Sequence, residues 1–134
     1  MTYILDTDSL IYFLKGHDEI VYRIAHTPPE ALHTTIINHT ELLFGVFNSA
    51  RKKQNLIKVE AFLNKIPVLS FCKESSYIFA EHKAALKSEG NIIADLDLMI
   101  ASITLANKMT LVTNNTKHFT RIKDLKIENW TIAN

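Results

Sequence analysis

The chain has 134 residues, a hydrophobic content of 47% and a formal net charge of +1 at pH 7. This length predicts one domain over residues 1–134, with enough residues to bury a sizeable core. It lacks an apolar run long enough for a transmembrane helix and the pattern of a secretory signal, so we expect a cytoplasmic protein that contacts no membrane. Its one cysteine, Cys72, excludes an internal disulfide, and we expect it to be buried after a strand.

Hydrophobic patterning indicates strands that alternate with helices. In chain order it predicts strand 3–6, helices 8–15 and 18–26, strand 32–35, helices 37–50 and 54–65, strand 67–71, helices 73–89 and 95–107, and strands 111–113 and 126–131, the last at a sheet edge. The residues expected to face the core from the third and fourth helices are Leu42, Leu43, Val46, Phe47, Leu56, Val59, Phe62 and Leu63. Short apolar strands between helices predict an α/β fold of three layers, α/β/α, around a parallel sheet of four to five strands.

Three acids stand where an apolar segment ends or a helix begins: Asp6, Glu41 and Asp97. An uncompensated carboxylate at a buried segment costs on the order of several kcal/mol, and no basic residue stands beside any of the three. A shared divalent metal ion would compensate that charge. In an open parallel sheet the carboxyl ends of the strands meet at one edge, which would bring these acids and residues 113–115 to one cleft.

The helix ends allow other roles for the same acids. We expect Thr7 or Asp8 to cap the first helix. Residues two apart on a helix point roughly 200° away from each other, so we interpret Asp95 as an N-cap and Asp97 as the inward carboxylate. Asp97 as an ordinary first-turn acid and Glu41 in a capping role remain alternatives.

Four segments together resemble the PIN-domain family, and specifically its VapC-type toxin ribonucleases. Residues 3–8 (Tyr-Ile-Leu-Asp-Thr-Asp) resemble the family's opening strand, and residues 40–45 resemble its Glu-Leu-x-x-Gly helix. Residues 90–101 resemble its third acidic segment, and residues 111–116 resemble its fourth strand and the loop after it. Residues 127–130 resemble its closing strand, so the likeness covers nearly the whole chain.

The resemblance implies metal binding by Asp6 and Asp97, with Glu41 in the same acidic cluster and Thr113 orienting Asp6 or a water. Asn115 departs from the pattern, because many family members carry an Asp there. A neutral amide holds a water but supplies no charge, which puts a second metal ion in question. Asp8 stands where the family commonly has Asn, and it either restores negative charge or caps the first helix.

The function that follows is hydrolysis of RNA phosphodiester bonds, with tRNA as a plausible substrate. All-oxygen ligands favour Mg²⁺ or Mn²⁺. The resemblance also implies a VapB-like antitoxin as inhibitor and a homodimer formed through the helices near residues 37–65. Two basic groups, residues 51–53 and 117–123, are either solvated helix ends or a rim that contacts phosphates.

Two alternative functions remain. Asp6-Thr7-Asp8 also fits the opening motif of haloacid-dehalogenase-type phosphatases, although only Asp124 and Glu128 follow as later acids. The second alternative is a catalytically degenerate PIN-like module that binds RNA or a protein partner, which the neutral Asn115 favours.

Overall fold

The structure is a computed structural model, and it describes residues 1–133. Its elements, besides a short 3₁₀ turn at Pro29–Ala31, are β1 (Tyr3–Leu5), α1 (Thr7–Leu14), α2 (Asp18–Ala25), β2 (Leu32–Thr35), α3 (Ile36–Phe47), α4 (Lys52–Leu63), β3 (Val68–Leu69), α5 (Lys73–Ser88), α6 (Asp95–Ala106), β4 (Thr110–Val112), α7 (Thr116–Phe119) and β5 (Lys126–Glu128). None of these helices is long and apolar enough to cross a lipid bilayer.

The five strands form one parallel sheet in the order β3-β2-β1-β4-β5. Tyr3 in the central strand β1 is in register with Leu32 of β2 on one side and with Thr110 of β4 on the other. The chain first builds outward from β1 to β2 and β3, and it returns to the opposite side for β4 and β5. The order therefore reverses at β1, and the predicted parallel sheet with an edge strand near the C-terminus is confirmed.

Two apolar clusters cover the two faces of the sheet. Successive side chains of a strand point to opposite faces, and β1 accordingly sends Leu5 into one cluster and Ile4 into the other. β4 divides in the same way, with Val112 in the first cluster and Leu111 in the second. Helices α1 to α4 supply most of the first cluster, and α5, α6 and α7 supply the second, so the three-layer arrangement is confirmed.

Trp130, which follows β5, packs against the sheet. Its side chain is only 1% exposed, and its ring packs edge-on against Tyr3 with the ring centroids 5.0 Å apart. The Arg23 guanidinium lies 4.9 Å from the Trp130 ring centroid, and the indole Nε1 donates a hydrogen bond of 2.9 Å to Glu128 Oε1. Contacts with β1, α2 and β5 therefore hold Trp130 against the first cluster.

Several local predictions were wrong, and helix caps account for two of them. Asp6, not Thr7 or Asp8, caps α1, because its carboxylate accepts from the Thr7 amide. The N-cap of α6 is Ala94, and Asp95 is the first helical residue, with its carboxylate 2.9 Å from Lys83 Nζ. Both errors arise because several acids stand side by side at these helix starts.

Other errors concern burial and short elements. Cys72 is exposed at the start of α5, where hydrogen bonding by Ser75 lowers the pKa of its thiol. Phe47 points outward from α3 with 57% of its surface exposed, while Leu42 and Val46 of the same helix are buried. The third strand is limited to Val68–Leu69, and the single-turn helix α7 was not predicted at all.

Candidate active site

Asp6 occupies the carboxyl end of the central strand and is almost fully buried. Its Oδ1 accepts hydrogen bonds from the Thr7 amide and from Asn38 Nδ2, both at 2.9 Å. Its Oδ2 accepts from the Thr113 hydroxyl at 2.7 Å. Three neutral donors from β1–α1, α3 and the end of β4 thus fix the orientation of this carboxylate.

Asn38 is one of the three donors to Asp6, and the sequence prediction missed it. The Thr35 hydroxyl caps α3 by accepting from the Asn38 amide, and it donates to Asn38 Oδ1 at 2.7 Å. This leaves both protons of the Asn38 side-chain amide to point at Asp6 and at Thr7 Oγ1, each at 2.9 Å. The spacing Thr35-x-x-Asn38 at a helix start was a usable signal, since an Asn on a buried helix face needs polar partners.

Asp8 brings a second carboxylate to the same place. Its Oδ2 accepts from the Asn114 amide at 3.0 Å and lies 3.5 Å from the Thr113 hydroxyl. Burial raises the pKa of Asp6 to about 7, and the neighbouring charge of Asp8 adds to that rise although the hydrogen bonds oppose it. Burial also raises the pKa of Asp8. Two acids therefore share a site that disfavours their charged forms.

Glu41 joins the site through Thr7. The Thr7 hydroxyl accepts from Asn38 and donates to Glu41 Oε1 at 2.6 Å. Because Thr35 caps α3, Glu41 in the second turn of that helix has no capping role. Its carboxylate instead ends a series of hydrogen bonds that runs from Asn38 through Thr7 to Glu41.

Asp97 joins the site from the opposite side. The Thr113 hydroxyl accepts from the Asn115 amide at 3.0 Å, and Asn115 Nδ2 lies 2.9 Å from His118 Nδ1. The same His118 nitrogen is 3.3 Å from Asp97 Oδ2. His118 was also missed by sequence analysis, because it stands 21 positions from Asp97 in a helix that was not predicted.

All five predicted site residues lie along one continuous chain of polar contacts, whose members in order are Glu41, Thr7, Asn38, Asp6, Thr113, Asn115, His118 and Asp97. Within residues 1–133 the ion pairs of Lys and Arg are Arg23–Glu128 and Lys83–Asp95, so no Lys or Arg pairs with Asp6, Asp8, Glu41 or Asp97. The site is therefore rich in carboxylates that neutral groups orient without neutralising.

The chemistry of these donors fits a divalent cation. Asp6 is buried and Asp8 is partly buried, burial raises the pKa of both carboxyl groups, and carboxylate oxygens are preferred ligands of Mg²⁺ and Mn²⁺. In the part of the chain that the structure describes, however, no three His, Cys, Asp or Glu side chains stand close enough to share one ion. Glu41 and Asp97 are instead turned toward Thr7 and His118.

The fold and the site define a class: an α/β domain with several acidic side chains at the carboxyl edge of a parallel sheet. The family model for the PIN domain matches residues 3–125. The chain therefore belongs to the PIN-domain family. Membership of the PIN-domain family excludes the alternative of a haloacid-dehalogenase-type phosphatase.

Known proteins resemble the chain over nearly its full length. Ribonuclease VapC2 of Rickettsia felis is 35% identical, over 97% of this chain and 98% of the relative. The tRNA(fMet)-specific endonuclease VapC of Salmonella typhimurium is 27% identical, over 97% of this chain and 98% of the relative. A solved structure of VapBC2 from Rickettsia felis, bound to a DNA fragment from its promoter, matches with a TM-score of 0.89 and 34% identity, over 97% of this chain and 99% of the other.

Replacing Asp6 by Asn should stabilise the protein in the absence of divalent ions. Burial raises the pKa of Asp6 from its ordinary value of 3.8 to about 7 in the folded state, so between these two pH values the folded state holds a proton that the unfolded state has released. Wild-type stability therefore falls as pH rises from about 4, and the loss is complete above about pH 7, reaching up to about 4 kcal/mol at 1.36 kcal/mol per pKa unit. We expect Asp6→Asn to raise the free energy of unfolding by about 1–3 kcal/mol at pH 8 and by less than about 1 kcal/mol at pH 4.

Urea denaturation with EDTA at the two pH values measures this difference. The control is Asp124→Asn, at an exposed acid whose positive φ an Asn tolerates. A loss of stability in Asp6→Asn at pH 8 would show that the buried carboxylate is not under electrostatic stress. Added Mg²⁺ or Mn²⁺ should then stabilise the wild type more than the variant.

Proposed function

We propose that the chain is a divalent-metal-dependent endoribonuclease and the toxin of a type II toxin–antitoxin pair. The observation that carries this proposal is the continuous polar chain that links Glu41, Asp6, Thr113, Asn115 and Asp97 at the carboxyl edge of the sheet. PIN-domain membership and VapC ribonucleases among the relatives support it. Cellular RNA as substrate would place its action in the cytoplasm.

The metal ion would be Mg²⁺ or Mn²⁺, held by Asp6 and Asp97 with Glu41 in the same cluster. Such an ion supplies Lewis-acid stabilisation of a scissile phosphate and activation of water at neutral pH. Asn38 and Thr113 hold the Asp6 carboxylate in one orientation, and Thr7 does the same for Glu41. Asn115 supplies a neutral amide at the position where many family members carry an Asp, so the site has one formal charge fewer there.

A transfer RNA is the substrate that we propose. The support is the Salmonella relative, whose name describes an endonuclease specific for tRNA(fMet). In this chain, Lys117 is exposed next to His118 in α7, and the exposed Arg121 follows two residues after that helix. Exposed cations near an acidic centre attract a polyanion without neutralising the carboxylates.

The antitoxin would be a VapB-like protein that occupies a groove beside Glu41. This groove of about 390 Å³ runs between α1, α3 and α4. Its walls are mainly apolar, and its polar lining includes two lysines; the lining residues are Ile11, Leu14, Lys15, Glu41, Leu42, Gly45, Val46, Ser49, Asn55, Lys58 and Val59. An amphipathic segment seated there would cover the approach to Glu41.

We further propose a homodimer through α3 and α4. Phe44 and Phe47 expose 70% and 57% of their surface on α3, and Ile57 exposes 69% on α4. Exposed aromatic residues of this size on neighbouring helices are typical of protein interfaces. Phe62, in contrast, packs against Phe13 at a centroid distance of 4.8 Å and belongs to the core.

The first test is cleavage of tRNA by the purified protein with Mg²⁺ or Mn²⁺, beside Asp97→Asn and the control Asp124→Asn. We expect cleavage that EDTA abolishes, that Asp97→Asn reduces by about 10²-fold or more, and that the control retains. Equal activity in wild type and Asp97→Asn would indicate a contaminating nuclease. Metal-independent RNA binding without cleavage would instead support the catalytically degenerate module.

Gly45→Leu tests the antitoxin groove. A Cβ at Gly45 meets no atom within 4 Å, so a leucine side chain would enter the groove without disturbing the helix. We expect RNA cleavage and thermal stability to remain, while the affinity of the VapB-like antitoxin falls by about tenfold or more. Gly45→Ala is the matched control, and unchanged affinity in Gly45→Leu would place the antitoxin elsewhere.

The double variant Phe44→Ser/Phe47→Ser tests the dimer. Both side chains are largely exposed, so the fold should remain intact while the interface loses its aromatic contacts. We expect light scattering after gel filtration to show a dimer for the wild type at micromolar concentration and a monomer for the variant. A wild-type monomer at that concentration would contradict the proposal.

A further inference from the structure

The Nδ1 atom of His118 lies close to the carboxylate of Asp97. The distance from Nδ1 to Asp97 Oδ2 is 3.3 Å, and the distance from Nδ1 to Asn115 Nδ2 is 2.9 Å. The Asp97 side chain is 23% exposed and that of His118 is 50% exposed, so water and ions reach both. His118 comes from α7 and Asp97 from α6, so two separate elements supply this pair.

The hydrogen bonds of His118 Nδ1 depend on the tautomer of the ring. A ring nitrogen of histidine carries either a proton or a lone pair in the ring plane. In the tautomer with its proton on Nε2, Nδ1 accepts from Asn115 Nδ2, and the lone pairs of Nδ1 and Asp97 Oδ2 face the same space. A cation in that space would contact both atoms.

The separation of the two atoms matches that of neighbouring ligands on one ion. At metal–ligand distances of about 2.1 Å, adjacent ligands of an octahedral ion stand roughly 3 Å apart. Imidazole nitrogen is a ligand for first-row transition ions and is not among the ligands that Mg²⁺ favours. A carboxylate and an imidazole at this spacing therefore indicate a transition ion.

We propose that His118 is a metal ligand beside Asp97 and that it makes the site select Mn²⁺ over Mg²⁺. This inference rests on the proposed function, since it concerns the metal ion of the same site. His118 supplies a donor next to Asn115, the position at which the chain lacks the acid found in many family members. The Asn115 amide then acts as a positioning group that holds the imidazole toward Asp97.

Pulsed electron paramagnetic resonance of bound Mn²⁺ reads nitrogen coordination directly. The wild-type protein is prepared with ¹⁵N at histidine only, and bound Mn²⁺ should show ¹⁵N coupling. That coupling should disappear in His118→Gln and remain in His26→Gln, a control histidine whose contacts lie within α2 and its C-cap. Absence of ¹⁵N coupling in the wild type would overturn the proposal even if His118→Gln fails to fold.

Affinity measurements give the second readout. Titration with Mn²⁺ should show about tenfold or more weaker binding to His118→Gln than to wild type. Competition with Mg²⁺ should show less than about threefold change, because Mg²⁺ gains little from the imidazole.

The outcomes separate the two proposals. Mn²⁺ that binds the wild type and is lost in Asp6→Asn and Asp97→Asn, but shows no histidine coupling, would overturn the role of His118 and leave the proposed nuclease intact. Wild-type protein that binds no Mn²⁺ at millimolar concentration would overturn both. Equal losses of Mn²⁺ and Mg²⁺ affinity in a folded His118→Gln would overturn the proposed selectivity.

Discussion

The buried carboxylate of Asp6 is the constraint around which the rest of the site is arranged. It stands at the carboxyl end of the central strand, where burial and the charge of Asp8 oppose its ionised form. Thr7, Asn38 and Thr113 each give it a hydrogen bond, and all three donors are neutral. A lysine or arginine there would neutralise the charge permanently, whereas neutral donors fix the orientation and leave the charge available to a cation.

The topology of the sheet explains why distant residues meet at this carboxylate. Because the strand order reverses at β1, the chain leaves the sheet on opposite sides of Asp6. The connection after β2 brings α3 with Asn38 and Glu41, and the segment after β4 brings Thr113 and Asn115. The cleft is therefore built from both halves of the chain, and its geometry depends on the register of β2 and β4 against β1.

The sheet and the acids Asp6, Glu41 and Asp97 have local signals in the sequence, whereas the roles expected for Thr113 and Asn115 came from the resemblance to the PIN-domain family. Apolar strands between amphipathic helices predict the parallel sheet, and an acid directly after a buried strand predicts Asp6. The hydrogen-bond partners of those residues are harder to predict. The Thr35-x-x-Asn38 spacing shows that Asn38 needs polar partners but does not identify them. The contacts of Asn38 with Asp6 and of His118 with Asp97 join residues 32 and 21 positions apart. The outward Phe47 and the exposed Cys72 were missed for a related reason, since apolarity predicts burial without showing which face a neighbouring element covers.

The two branches that leave Asp6 differ in their physical character. The branch to Glu41 runs through Asn38, which is fully buried, and each of its hydrogen bonds has a defined donor that points toward a carboxylate. The branch to Asp97 runs through Asn115 and the half-exposed His118, whose ring nitrogen is a donor or an acceptor according to its tautomer. A fully satisfied buried network is rigid, while polar groups exposed to solvent are freer to rearrange. We therefore expect the Glu41 side of the site to change less than the Asp97 side when a cation binds.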